Sequence, residues 1–324
     1  MKSTCRARLI AAIAAVALAC SREHAVPSTG SNASGRAVAV RSLEASGPPA
    51  LNEVRIVVPA SVERASERRP FVLFLHGFGG SGASLAADLA LERLADRRRF
   101  VFAAPDGARN LRGQRYWNAS SACCDFDEGR PSHVAELAVL LRRAARHPRV
   151  DPQRIFAVGY SNGGFMAHRL ACDVPELRGI VSVAGAGPNE IDPPCRPTHE
   201  VRVLELHGDR DDVVRFEGGT TVDDITRLLA APPFARASRA RHPSAANTVR
   251  RWAALEGCLD EPVEQGSSAT ITLGTPVDAI ERLAFQRCAA PVELWIVRGG
   301  DHFVAINAAA QEALVSYLFA VAPR

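Results

Sequence analysis

Apolar residues along this chain come in short, nearly unbroken runs set between stretches of helical period. The runs are Val54–Val58, Phe71–His76, Phe100–Ala104, Ile155–Tyr160, Gly179–Ala184, Val201–His207 and Val292–Arg298. A strand with one wet face would alternate apolar and polar residues. These runs do not alternate, so they predict parallel strands buried on both faces. Between them, Ser84–Leu94, His133–Arg146, Gly164–Ala171, Ser244–Leu255 and Ala308–Val321 carry apolar residues at helical spacing. Strands alternating with helices predict a mostly parallel, doubly wound α/β sheet with helices on both faces. Arg215–Arg241 is poorly periodic, carries Gly218-Gly219 and Pro232-Pro233, and reads as an insertion that could lie over a site as a lid.

Two segments precede the first run. Lys2, Arg6 and Arg8 introduce the apolar stretch Leu9–Ala19, which ends in Ala17-Leu18-Ala19. The stretch is too short to cross a bilayer and has the build of a secretory signal peptide with a small-residue cleavage site. Cys20 follows directly, so the same segment matches a lipoprotein signal, with Cys20 as the lipidated residue. Residues 20–50, rich in Ser, Pro, Gly and Ala, read as a disordered tether. Residues 51–324 are then one α/β domain, long enough to bury a large core. The expected location is extracellular or in the cell envelope, and the expected membrane contact is a lipid at Cys20 alone.

Composition narrows the chemistry. The 324 residues carry 39 basic and 35 acidic side chains, for a net charge of +4. Loss of residues 1–19 would leave the chain near neutral, which gives no electrostatic reason to expect nucleic acid. Aromatic residues are 6% of the chain, too few for a broad base-stacking platform. Lys2 is the only lysine, so the mature chain has none for a Schiff base or a P-loop. Beyond Cys5 and Cys20, six cysteines remain: Cys123, Cys124, Cys172, Cys195, Cys258 and Cys288. In an oxidising compartment an even set implies three disulfides, in pairings the sequence leaves open. None has C-x-x-C spacing, so no metal site is expected.

The chemistry-bearing residues follow the predicted strands. Gly159-Tyr160-Ser161-Asn162-Gly163 sits between a strand and a helix. That is the context of a nucleophile elbow, where a sharp turn lifts a serine hydroxyl above the sheet. A serine nucleophile needs a base and an acid to orient it, in the order Ser, Asp, His for this architecture. Val201–His207 leads into Asp209, Asp211 and Asp212, and Val292–Arg298 leads into Gly299-Gly300-Asp301-His302. Ser161 and His302 are therefore the candidate nucleophile and base, with three aspartates competing for the acid. Two backbone N–H groups should hold the developing oxyanion. Those of Asn162 and of Phe78, in the loop His76-Gly77-Phe78-Gly79-Gly80, are the candidates.

That loop also satisfies G-x-G-x-x-G through Gly82, with Asp106 downstream, as a dinucleotide-binding fingerprint would. The Rossmann reading leaves the serine elbow and the Asp and His loops without a role. The serine-hydrolase reading uses all four segments.

These residues resemble a known family, the polyhydroxybutyrate depolymerase-like esterases, which include feruloyl and acetylxylan esterases. The resemblance covers about residues 53–320. It is carried by LHGFGGSG at 75–82, PDG at 105–107, WN at 117–118, CC at 123–124, VDPQRIFAVGYSNGGFMAHRLAC at 150–172, ELHGDRDDVVRFEGG at 205–219, NTVRRWAALEGC at 247–258 and GGDH at 299–302. It implies the α/β-hydrolase fold, Ser161 as nucleophile, Asp211 as acid and His302 as base, and a Cys258–Cys288 bridge. It implies a small or oligomeric ester as substrate, of the hydroxyalkanoate, feruloyl or acetylxylan kind, and no cofactor. His76, Trp117 and Phe303 are the candidates for lining the cleft. Phe303-Val304 stands where the family has tryptophan and proline, and Ser132-His133 where it often has two aspartates. The other readings are a catalytically silent binding protein on the same scaffold and a serine peptidase. Oligomeric state is not legible.

Overall fold

Phe71, Leu73 and Leu75 pack against one face of the central sheet and Val72 and Phe74 against the other, and all five are buried. This two-sided burial explains why the run reads as continuously apolar. The computed structural model describes residues 54–320 apart from 127, 130, 190–191, 229–238, 260, 266–279 and 305. The expected signal segment, Cys20, the 20–50 tether and the Pro232-Pro233 part of the insertion lie outside the described residues.

In chain order the elements are α1 (Ala60–Glu63), β1 (Arg69–Leu75), α2 (Gly82–Asp88), α3 (Leu91–Arg98), β2 (Val101–Ala103), β3 (Ala108–Arg109) and β4 (Arg115–Tyr116). They continue with α4 (His133–Ala145), β5 (Val150–Tyr160), α5 (Asn162–Asp173), β6 (Gly179–Val183), β7 (Arg202–Gly208), α6 (Val222–Leu228) and α7 (Ala245–Leu255). β8 (Val263–Glu264), β9 (Ile280–Ala284), β10 (Val292–Val297) and α8 (Ala308–Phe319) complete the chain. The sheet runs β2-β1-β5-β6-β7-β10-β9-β8. The pairs from β2 to β10 are parallel, while β9 is antiparallel to both β10 and β8. β3 and β4 form a separate small hairpin.

One core layer, with α4, α5 and α7, packs Leu137, Leu140, Leu141, Phe165, Met166 and Trp252 on one sheet face. The other, with α3 and α8, packs Leu91, Leu94, Leu314 and Leu318 on the opposite face. Strand order reverses direction between β1 and β5, and the crevice beyond the carboxyl ends of strands at such a reversal is where ligands bind in open α/β sheets.

Three expectations need correction. Val54–Val58 is not a strand: only Val57 pairs, in an isolated antiparallel bridge to Phe102. Pro59 follows, has no N–H to extend a ladder, and instead precedes α1. The single helix expected over Ser84–Leu94 is two. Ser81 caps α2 through Ser84, and the chain turns at Ala90, whose φ of 46° breaks the helix before α3. Within the insertion, Val222–Leu228 is helical, with Val222 and Ile225 buried.

Candidate active site

β5 ends at Tyr160 and α5 begins at Asn162, so Ser161 alone makes the turn. Its φ of 53° is a left-handed conformation that costs a non-glycine residue energy. Its neighbours hold it there. Ser161 N–H donates to Val183 O at 2.7 Å, and Ser161 O accepts from Gly164 N–H at 2.7 Å and Phe165 N–H at 3.1 Å. The flanking glycines have a steric reason. A Cβ on Gly159 would fall 2.0 Å from Gly163 O, and one on Gly163 would fall 2.1 Å from Leu75 O.

The hydroxyl meets two groups from other strand ends. Ser161 Oγ lies 3.0 Å from His302 Nε2, in the loop after β10, and His302 Nδ1 lies 2.8 Å from Asp211 Oδ2, in the loop after β7. All three side chains are buried. With Nδ1–H donating to the carboxylate, Nε2 is left as the acceptor for the serine proton. Of the three competing aspartates, the structure brings Asp211 to His302. Asp209 instead accepts from Gly299 N–H at 2.6 Å and pairs with Arg298 at 3.4 Å, tying the β7 loop to the β10 loop. Asp212 is exposed. Burial works to raise the Asp211 carboxyl, but hydrogen bonds from His207 and His302 outweigh it and hold it well below the usual carboxylate range.

Asn162 N–H is the first in α5, ahead of any intrahelical acceptor, at the positive end of the helix dipole. The loop carrying Phe78 passes beside the serine: a Cβ on Gly77 would sit 3.4 Å from Ser161 Cβ. That loop is anchored by Gly79 N–H donating to Arg115 O at 2.7 Å and Gly80 N–H to Gly77 O at 3.0 Å.

His76 and Trp117 do not line a cleft. Both are buried and belong to the support beneath the site. His76 Nδ1 donates to Gly77 O at 2.7 Å and its Nε2 accepts from Gly107 N–H at 2.9 Å. Trp117 Nε1 donates to His76 O at 2.9 Å. The backbone of Trp117 is clamped by one amide: its N–H donates to Asn162 Oδ1 at 2.7 Å, and its carbonyl accepts from Asn162 Nδ2 at 2.9 Å. The same Nδ2 lies 3.6 Å from Cys123 Sγ. Phe303 is partly exposed and sits edge-on to the His302 ring, with centroids 5.5 Å apart.

The structure pairs Cys258 with Cys288, Cys172 with Cys195, and Cys123 with its neighbour Cys124. The last bridge packs in the core beside Trp117 and Ala119.

Behind Asp211 lies a series of polar side chains that the sequence reading missed. Asp211 Oδ2 is 3.2 Å from His207 Nε2, and His207 Nδ1 is 3.0 Å from Glu205 Oε1. Glu205 Oε2 is 3.0 Å from His168 Nε2, and His168 Nδ1 accepts from Trp252 Nε1–H at 2.9 Å. All are buried. The signal was in the sequence: Glu205 and His207 are polar residues two apart in an apolar strand, hence on one face of it.

Comparison with known proteins follows the same lines. Residues 58–230 match the family described as Phospholipase/Carboxylesterase. The NocK protein of Nocardia uniformis subsp. tsuyamanensis, named as an esterase, is 30% identical over 244 residues, which are 73% of this chain and 65% of that protein. Feruloyl esterase B of Piromyces equi is 24% identical over 241 residues, 72% of this chain and 39% of that protein. The matched part of this chain thus spans less than two thirds of either relative. Acetyl xylan esterase from Aspergillus awamori superposes with a TM-score of 0.53 at 14% identity, over 81% of this chain and 93% of that one. At that identity the likeness is one of fold, the α/β-hydrolase fold.

Proposed function

This chain belongs to the phospholipase/carboxylesterase family of α/β-hydrolases, and from that premise we propose that it is a serine carboxylic-ester hydrolase working through an acyl-enzyme. The observation that carries the reading is the hydrogen-bonded series Ser161 Oγ, His302 and Asp211 at the carboxyl ends of three strands. His302 Nε2 takes the hydroxyl proton as Ser161 attacks the ester carbonyl. Asp211 keeps the proton on Nδ1, so the correct nitrogen faces the serine, and it stabilises the imidazolium that forms. The N–H groups of Asn162 and Phe78 receive the oxyanion, each contributing about 3 kcal/mol to the barrier. His302 then returns the proton to the departing alcohol, and water releases the acid by the same steps.

The proposed substrates are hydroxyalkanoate oligomers or feruloyl and acetyl esters of plant polysaccharide. Export through residues 1–19, with a lipid on Cys20, belongs to the same proposal and would bring the enzyme to such material outside the cell.

The test is the rate on p-nitrophenyl butyrate, methyl ferulate and a 3-hydroxybutyrate trimer, with Ser161→Ala as the blank. Wild type should exceed the blank by at least about 10⁴-fold on one of them. Equal rates for wild type and blank would sink the esterase reading and favour a binding protein. Cleavage of peptides but not esters would favour a peptidase.

A further inference from the structure

We propose that Glu205 and His207 are positioning residues for the reaction: a buried carboxylate–imidazolium pair whose positive member holds Asp211 ionised and aimed at His302. The proposal rests on the esterase reading of Ser161, Asp211 and His302. It says what sets the charge behind them.

His207 is buried, and each ring nitrogen faces oxygen. Nδ1 faces Glu205 Oε1 at 3.0 Å, and Nε2 faces Val214 O at 2.7 Å and Asp211 Oδ2 at 3.2 Å. A neutral imidazole has one N–H and one lone pair. Burial works to raise Glu205, but hydrogen bonds from His168 and His207 outweigh it and keep it an acceptor only, so a neutral His207 would press a lone pair against an oxygen with no water to intervene, a cost of the full desolvation of that group. Protonation of both nitrogens satisfies every contact.

The far end fixes the rest. Trp252 Nε1 can only donate, so His168 Nδ1 accepts and His168 Nε2–H donates to Glu205. His168 is thus neutral, and Glu205 takes donors from both imidazoles. At the near end Asp211 Oδ1 accepts from Val213 N–H and Val214 N–H, both at 2.8 Å, while its Oδ2 takes His207 and His302. Four donors converge on a carboxylate that has nothing to donate, which is the anion's requirement.

The other titratable groups nearby leave this assignment standing. Burial pushes His242 down to about 4, so it is uncharged near neutral pH. Burial, then the charges of Asp211 and Asp301, raise Tyr160, which stays a phenol and donates to His302 O at 2.7 Å. Asp301 is exposed and accepts from Phe303 N–H at 2.9 Å. Phe216 covers His207 edge-on, at 5.8 Å between centroids.

The chemical consequence is a setting of basicity. A fixed cation against Asp211 offsets part of the charge that would otherwise draw a proton onto His302. Glu205 is what keeps that cation in place. Without it, Asp211 faces His302 with its full charge, and the site needs a higher pH before Nε2 is free to accept the serine proton.

Two measurements test this. The first is ¹⁵N NMR of histidine-labelled wild type, which needs no turnover. His207 should show both nitrogens protonated from pH 5.5 to 8, and a neutral His207 at pH 7 would overturn the proposal. The second uses Glu205→Gln, an isosteric change. His207 should lose a proton within the neutral range, and the acid limb of kcat/KM should move up by about one pH unit. A pair with a merely structural role would lower stability or kcat and leave that limb where it is, which would overturn the proposal. If the variant fails to fold, the wild-type spectrum still decides. An inactive wild type with a doubly protonated His207 would sink the esterase reading alone.

Discussion

Replacing Asn162 by aspartate exchanges one buried NH₂ for an oxygen and leaves the shape of the side chain unchanged. Oδ1 can still accept from Trp117 N–H. The second oxygen now meets Trp117 O, which Nδ2 contacts at 2.9 Å in the wild type, and Cys123 Sγ. As a carboxylate it repels that carbonyl, whereas as a neutral acid it can donate to it. The folded variant will therefore hold its proton above the unfolded pKa of about 3.9. A raised carboxyl contributes most below its unfolded value and loses stability as pH climbs through its folded value. Holding the proton costs about 1.4 kcal/mol per pH unit above about 3.9, hence about 1.5 kcal/mol near pH 5. Near pH 8 the same rule demands about 5.6 kcal/mol. An unpaired buried charge costs about 3–5 kcal/mol, and the loss should level off there. Guanidinium unfolding of wild type and variant, from pH 4 to 8 with disulfides intact, reads this difference directly. A destabilisation that stays below about 1 kcal/mol all the way to pH 8, or one flat in pH, would mean that the amide does not clamp Trp117.

Three further outcomes are expected. Gly163→Ala puts a methyl group where Leu75 O already sits, 2.1 Å from the ideal Cβ. It should lower stability by more than about 2 kcal/mol, and an unchanged melting curve would contradict the packing of the elbow. Removing the Cys172–Cys195 bridge as a double alanine variant frees a loop of sequence separation 23, for a loss of about 3 kcal/mol, whereas a loss under about 1 kcal/mol would mean the denatured chain is already restrained there. Burial raises Glu256 to about 6, and a raised carboxyl loses stability as pH rises from its unfolded value through the folded one. Glu256→Gln keeps an acceptor for Val201 N–H, which donates to Oε1 at 2.9 Å, so the variant should gain up to about 2 kcal/mol above pH 6 and nothing near pH 4. A gain independent of pH would point to another cause.

What the sequence made legible follows from burial. β1 and the second half of β5 stand out because both their faces are covered and Phe71–Leu75 and Ile155–Val158 are apolar throughout. β9 hides because it lies towards the sheet's edge and its middle is polar. Arg282 there lays its guanidinium 4.4 Å from the centre of the Trp295 ring, a packing role that a charged letter conceals. At the site, Ser161 is legible because its turn needs glycines on both flanks, and His302 because it follows a strand. The choice of Asp211 over Asp209 and Asp212 came from resemblance, since the three differ only in which way a loop of a few residues points them. His76 and Trp117 read as lining residues because the contact that buries Trp117 comes from Asn162, 45 positions away. Glu205 and His207 stay hidden inside a predicted strand, because what gives them a role, His168 on α5 and Asp211 in the loop beyond, meets them only in the fold.

The six cysteines of the domain count as three bridges, but they do not do the same work. A bridge restrains the unfolded chain in proportion to the logarithm of the loop it closes, and the Cys123–Cys124 bridge joins adjacent residues. It closes no loop, so it restrains the unfolded chain only within its own small ring. What it supplies is a small covalent ring of fixed outline under Asn162, a surface that neither two thiols nor two alanines would reproduce. Two of the bridges are cross-links of the chain, and the third is a rigid tile against which the turn beside Ser161 is laid.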